Sequence, residues 1–143
     1  MNFLDKLRPI SLLLLRWMLA LLFIYHGYPK LQNVSGTQAY MVSLGLPHYF
    51  AYIAIALEVG GGALLILGLA TRPVALLLAI EMAVAMWRSD LAHGWAAVPD
   101  YQFALALGVA AFALATFGGG ALSLDAAFFG GRGGGKSRPK PKP

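Results

Sequence analysis

The sequence predicts an all-α integral membrane protein: an antiparallel four-helix bundle with short interfacial segments. Two observations carry this. Hydrophobic residues make up 59% of the 143 positions and charged residues only 12%, against about 25% charged in soluble domains. The apolar residues also fall in long blocks rather than in amphipathic stripes, the pattern of membrane spans.

Residues 1–9 read as a short polar N-terminus carrying Lys6 and Arg8. The apolar run after them is too long for a signal-peptide core and lacks a small-residue cleavage site. It predicts a first span over about residues 10–28, with Pro9 leading into its first turn. His26, Gly27, Tyr28, Pro29 and Lys30 close that span. Leu31 to Tyr49 is too polar to cross lipid. Within it, Ala39, Met41, Val42, Leu44 and Leu46 predict a short interfacial helix or plug that stops at Gly45, before Leu46-Pro47.

The second span is expected at about 50–69. Ala70-Thr71-Arg72-Pro73 is too short for anything but an antiparallel neighbour. The third span then runs over about 73–88 and carries Glu81, with Ala85 and Arg88 on the same face. A polar loop with Asp90, His93, Trp95 and Asp100 precedes a fourth span, about 102–117, which has no charge and many alanines. Gly118-Gly119-Gly120 ends it, and Ser123-Leu124-Asp125 opens an interfacial stretch with Phe128 and Phe129. These elements make residues 10–129 one transmembrane domain. Residues 130–143 are glycine-rich, then basic and proline-rich, and predict a disordered tail.

Four spans put both termini on one side, with Lys6, Arg8, Arg72 and the basic tail. Lys30 and Arg88 lie on the other. Basic residues concentrate in the cytoplasm, so both termini are expected there. The tyrosines and tryptophans, including Tyr25, Tyr28, Tyr49, Trp87 and Trp95, crowd the outer interface as an aromatic belt, or else form a stacking platform for a ring.

The chemistry concentrates in a few polar groups. Glu58 interrupts an apolar run beside Gly60, Gly61 and Gly62. At helical spacing it shares a face with Gly61 and Gly62, which would let a neighbour approach closely. Glu58 and Glu81 each lie roughly 12 Å along a span, near mid-membrane. Arg16 lies on the inner part of the first span. An unpaired carboxylate is costly in lipid, so Arg16 or Arg88 is expected to pair with the two glutamates, or at least one of these is protonated. Arg16, Glu58 and Glu81 are therefore the candidate intramembrane site, and His26, Lys30, Arg88 and His93 the candidate outer mouth. Three roles compete for this set: a network that sets helix register, an outward-opening site for a quinone or other small molecule, and a proton or ion relay.

The chain has no cysteine, which excludes disulfide shuttling and thiolate metal sites. His26, His48 and His93 lack ligand spacing, so no metal is expected. The net charge of +5 lies largely in the tail and does not point to nucleic acid. No cofactor is evident from the residues; quinone is the candidate.

The segments RWMLALLFIYHGYPKL, ALEVGGGALLILGLATRP, an Ala- and Met-rich third helix and GGGALSLDAAF, in that order over about residues 15–125, resemble the DoxX family of small bacterial membrane proteins. The resemblance implies an integral plasma (inner) membrane protein. Members of that family have been linked to the membrane subunit of a thiosulfate:quinone oxidoreductase and to a membrane oxidoreductase complex of oxidative-stress defence. The resemblance thus implies a membrane component of a quinone-linked or redox-stress system. The competing expectation is a non-enzymatic scaffold or a small-solute or proton carrier. Candidate partners are the lipid bilayer, a redox subunit and further copies of the chain.

Overall fold

The structure is a computed structural model that describes residues 2–88, 91 and 94–130; His93 and the basic tail, 131–143, lie outside the described residues. All regular structure among them is helical. Helix α1 is Asn2–Gln32, α2 is Val34–Ser43, α3 is Phe50–Leu67, α4 is Thr71–Arg88, α5 is Val98–Phe117 and α6 is Leu124–Phe129. Among the described residues, α1, α3 and α5 are long and apolar enough to cross a membrane. Helix α4 has comparable length but carries Arg72, Glu81 and Arg88.

Several boundaries differ from those the sequence suggests. Helix α1 starts at Asn2 and runs to Gln32, with Pro9 and Pro29 inside it. The segment before Pro9 is therefore helical. Each proline removes one backbone hydrogen bond. Continuation past Pro29 is what brings Lys30 to its partner on α3, so a tertiary contact outweighs the local break. Helix α5 starts at Val98 rather than near Gln102. Pro99 in the first turn loses no needed N–H, and Asp100 suits the positive helix start.

The helix ends are closed by specific hydrogen bonds. Asn33 interrupts the chain between α1 and α2, and its side chain accepts from Gly36 N at 3.0 Å. At the far end of α2, Gly45 (φ +75°) takes the left-handed conformation. Gly45 N donates to Val42 O at 2.9 Å and Leu46 N to Met41 O at 3.0 Å, the paired bonds of a Schellman ending. Leu46 packs beside Met41 to complete it. Gly68 (φ +70°) ends α3 in the same way, with Leu69 N donating to Leu64 O at 3.0 Å.

In α3 the middle is not α-helical. Ala56–Gly61 forms one π-helical turn, between α-helical Phe50–Ile55 and Gly62–Leu67. The wider turn adds a residue, which rotates the C-terminal half of the helix about its axis. Gly61 faces Val74 and Leu78 of α4, whereas Gly62 faces Ala20 and Ile24 of α1. The single glycine face expected beside Glu58 is divided between two neighbours.

Small residues set the helix spacing. A Cβ at Gly62 would stand 3.0 Å from Ala20 O, and one at Gly108 of α5 would stand 3.2 Å from Met82 Cβ of α4. Close approach of this kind is how helices associate in lipid, where burying apolar surface drives little. Contacts run in opposite residue order along α1 and α3: Gly27 meets Glu58 and Val59, Gly62 meets Ile24, and Gly68 meets Arg16. The core includes Leu19, Phe23, Leu65, Leu78, Leu107 and Leu114. Leu14, Leu21, Ile53, Leu67, Ile80, Val109 and Phe112 are exposed on the outside. An apolar exterior of this extent suits lipid rather than water.

Arg16 and Asp125 tie one end of the bundle together. Arg16 Nη1 donates to Gly119 O at 2.7 Å and Nη2 to Leu122 O at 2.8 Å. Its guanidinium also lies against Gly68, so a cation sits at the C-terminal ends of α3 and α5, where helix dipoles favour one. Asp125 does the converse at the start of α4. Its Oδ1 accepts from Ala70 N and its Oδ2 from Thr71 N, each at 2.8 Å. Asp125 N returns a bond to Gly68 O at 2.9 Å.

Partial burial pushes the Asp125 pKa up, but the Thr71 and Ala70 hydrogen bonds and the Arg16 charge outweigh it and hold the carboxyl below its ordinary value. A depressed folded-state pKa stabilises the protein above the unfolded value of about 3.9 and loses that contribution as pH falls through the folded value. Asp125→Asn is therefore expected to unfold at lower temperature than wild type at pH 7, with the gap shrinking below about pH 4. Thermal unfolding in detergent across that range measures it, and a gap independent of pH would refute the role of the charge.

Candidate functional site

At the opposite end of the bundle a cavity of about 480 Å³ opens between α1, α2, α3, α4 and α5. Its walls are mainly apolar, from side chains such as Phe23, Met41, Leu57, Ile80, Phe103 and Leu107. Tyr40 and Met41 of α2 and Leu44 just beyond it line one side. The polar residues lining it are Lys30 and His26 of α1, Glu58 of α3, and Glu81 and Arg88 of α4, together with Tyr40. A mostly apolar cleft with a few convergent polar groups is the usual form of a small-molecule site.

Each polar group is placed by its helix. Glu58 occupies the π-helical turn and is only 2% exposed. Lys30 reaches it from the last turn of α1, with Nζ 2.6 Å from Glu58 Oε1. Lys30 follows Gly27 by one helical turn on the same face. At Gly27 the helices come so close that a Cβ would stand 2.7 Å from Glu58 Cβ. The glycine therefore sets the approach that the ion pair needs. His26 packs its ring on Phe103, with centroids 5.0 Å apart. Gly45, at the end of α2, lies close to Arg88.

The two carboxyls are incompletely satisfied. Glu58 Oε2 and Glu81 Oε2 are buried and have no hydrogen-bond partner. Glu81 feels both Glu58 and Lys30 electrostatically. Lys30 is bonded to Glu58 alone, and each acidic group keeps a buried oxygen without a partner. A buried acceptor left unpaired costs roughly 1–3 kcal/mol, and more when charged.

The structure separates the residues grouped in the sequence. Glu58 and Glu81 line one cavity with His26, Lys30 and Arg88. Arg16 does not join them. It lies fourteen residues before Lys30 on α1, roughly 21 Å along the axis, and it is committed to Gly119 and Leu122. His93 lies outside the described residues. The partner of Glu58 is Lys30, a residue the sequence places only at the mouth. Ending α1 at Tyr28 hides this pairing; the Gly27-to-Lys30 spacing is the signal that could have revealed it. Among the described residues no cluster of three or more His, Asp or Glu is arranged to hold a metal.

A second cavity of about 370 Å³, between α4 and α5, is lined by apolar residues and Gly108. It offers no chemistry.

The fold and the first cavity define a small α-helical membrane protein with an internal acidic pocket. The DoxX family model matches residues 11–91, and the chain belongs to the DoxX family. It is similar to "Putative oxidoreductase CatD" of Bacillus subtilis, with 34% identity over 90% of this chain and 94% of that protein. It is also similar to two inner membrane proteins of Escherichia coli. YqjF is 33% identical over 85% of this chain and 94% of its own length. YphA is 44% identical over 49% of this chain and 51% of its own length. No solved structure matches the chain.

Proposed function

We propose that the protein is a membrane component of a quinone-linked or oxidative-stress redox system in the bacterial inner membrane, with the Glu58–Glu81 cavity as its ligand site. The observation that carries this reading is a pair of buried, unpartnered carboxyl oxygens beside a mainly apolar cavity of about 480 Å³. The residues fit a substituted ring: apolar walls would hold its body, and the acidic end would meet its oxygens. A quinone, when bound, supplies two-electron, two-proton chemistry. The protein's part is to exclude water, hold the ring, and keep or release protons at Glu58 Oε2 and Glu81 Oε2. Lys30 fixes the Glu58 carboxyl through Oε1. The name of CatD as an oxidoreductase agrees with this reading.

The proposed topology has four antiparallel passes, α1, α3, α4 and α5, with both termini in the cytoplasm. Lys6, Arg8 and Arg72 then lie inside and the cavity opens outward. A redox subunit would supply or receive the electrons.

The full chain purified in mild detergent is expected to carry quinone detectable by mass spectrometry of an organic extract, and Glu58→Leu is expected to carry less. Wild-type protein purified without quinone, together with uptake into vesicles that depends on Glu58 and Glu81, would favour a carrier instead.

A further inference from the structure

The cavity is open on one flank, between α3 and α4. The inner half of α3 packs on α4 at Gly61, where an added Cβ would stand 3.2 Å from Val74 Cγ1. Outward of that contact the two helices stop interlocking. Phe50–Ile55 of α3 packs on α1 and α2 rather than on α4. The side chains of α3 and α4 in this outer region line the cavity instead.

On α4 the lining residues include Leu77, Ile80, Glu81, Val84, Ala85 and Arg88. Their spacings of three and four make one stripe. It runs beside the buried residues Val74, Ala75 and Leu78, between the core and the outside of the bundle. A side chain on the wall of a closed cavity keeps little accessible surface. Leu77 and Ile80 are 47% and 52% exposed, and Ile53 on the α3 wall is 46% exposed. The wall is therefore interrupted between the outer halves of α3 and α4. Ile53, Leu77, Ile80 and Val84 frame the gap, and an apolar frame of this kind suits lipid rather than water. Buried Glu58 and half-buried Glu81 line the cavity behind it, with Lys30.

An opening within the bilayer admits what is dissolved in the bilayer. Polar groups behind an apolar entrance match a molecule with a polar head and an apolar chain. Building on the reading of this cavity as the ligand site, we infer that its entrance is the cleft between Ile53 of α3 and Leu77 and Ile80 of α4, and that its ligand is a membrane-dissolved amphiphile whose chain leaves through that cleft. The head exchanges with the leaflet nearer α2 and does not pass through water. Chain length is not limited by the cavity, because the chain stays in lipid.

The test uses the full chain in phosphatidylcholine nanodiscs. The probe is a hexadecyl-substituted 1,4-benzoquinone with a diazirine part-way along its chain. After illumination, peptide mass spectrometry locates the attached probe. Lipid-facing residues also label non-specifically, so the signal is the part removed by excess decyl-substituted 1,4-benzoquinone. That part is expected on residues 50–57 and 77–84. Ile80→Trp fills the cleft and is expected to lower it at least about threefold. Leu21→Trp, at an exposed position of α1 away from the cavity, is expected to leave it unchanged. Circular dichroism confirms that each variant is folded, and the wild-type map stands without them.

Competed label on residues 40–46 or around Phe103 would place the entrance elsewhere, overturning the lateral route and leaving the ring site standing. Unchanged labelling of Ile80→Trp would have the same consequence. Label in the cleft that hexadecanol removes as well as the quinone does would keep the lateral route and overturn the quinone-linked reading. No competed label anywhere would overturn both.

Discussion

Replacing Arg16 by Met is expected to lower the stability of the protein by about 2–6 kcal/mol, the loss of two charged hydrogen bonds to carbonyls at roughly 1–3 kcal/mol each. Arg16 is 2% exposed and donates to two carbonyls, Gly119 O and Leu122 O. Methionine fills much of the same space and donates nothing, so both acceptors lose their donor. Asp125 also loses the cation that favours its charge. The damage reaches three helix ends, because the guanidinium lies between Gly68 and Gly119 while Asp125 caps the start of α4. Arg16→Lys should fall between wild type and Met. An ammonium is a point donor and cannot reproduce the planar fork that serves two carbonyls. Thermal unfolding in detergent, together with protease cutting in the Gly118–Ser123 loop, measures the series. Equal unfolding temperatures for wild type and Arg16→Met would disprove the account.

Gly27→Val is expected to destabilise the bundle by about 1–3 kcal/mol and to separate Lys30 from Glu58. The added Cβ would stand 2.7 Å from Glu58 Cβ and 3.2 Å from Val59 N. A backbone nitrogen cannot swing aside, so α1 and α3 must part. The proper control is Gly60→Ala, in the same contact region of α3 but with nothing within 4 Å of its added Cβ. That change should be neutral or slightly stabilising, by roughly 0.5–1 kcal/mol, since alanine favours a helix. The two unfolding temperatures are compared directly. Equal shifts for both variants would mean that close approach at Gly27 is not what sets the helix spacing.

The broad plan was legible in the apolar blocks, because a helix in lipid must satisfy its own backbone and therefore writes its length into composition. The helix ends were less so. Pro9 and Pro29 each read as a boundary, and each lies inside a helix. Local propensity marks where a break is cheap, whereas contacts such as Lys30 with Glu58 decide whether it happens. The polar groups show the same limit. Periodicity assigns Glu58 a face but cannot say which cation stands at its depth, so it groups Arg16 with a carboxyl whose partner, Lys30, lies roughly 21 Å farther along α1. Nor does composition reveal a π-helical turn. Across that turn Gly61 meets α4 and Gly62 meets α1. What the sequence did expose was the chemistry of the cavity, since a carboxyl in an apolar run is rare enough to announce itself.

The link between Arg16 and Gly119 spans 103 residues of chain, and that separation bears on how the protein is made. An arginine in an inserting helix is costly, by up to about 2.5–3.5 kcal/mol at the helix centre and less toward its ends. At a synthesis rate of 5–20 residues per second, the carbonyls that receive Arg16 emerge about 5–20 s after it. Lys30 and Glu58 are 28 residues apart and wait only about 1–6 s. The acidic pocket can therefore close its ion pair while the C-terminal half is still on the ribosome. The first helix, by contrast, must be held in the membrane with its arginine unmatched until the last helix arrives to lock it.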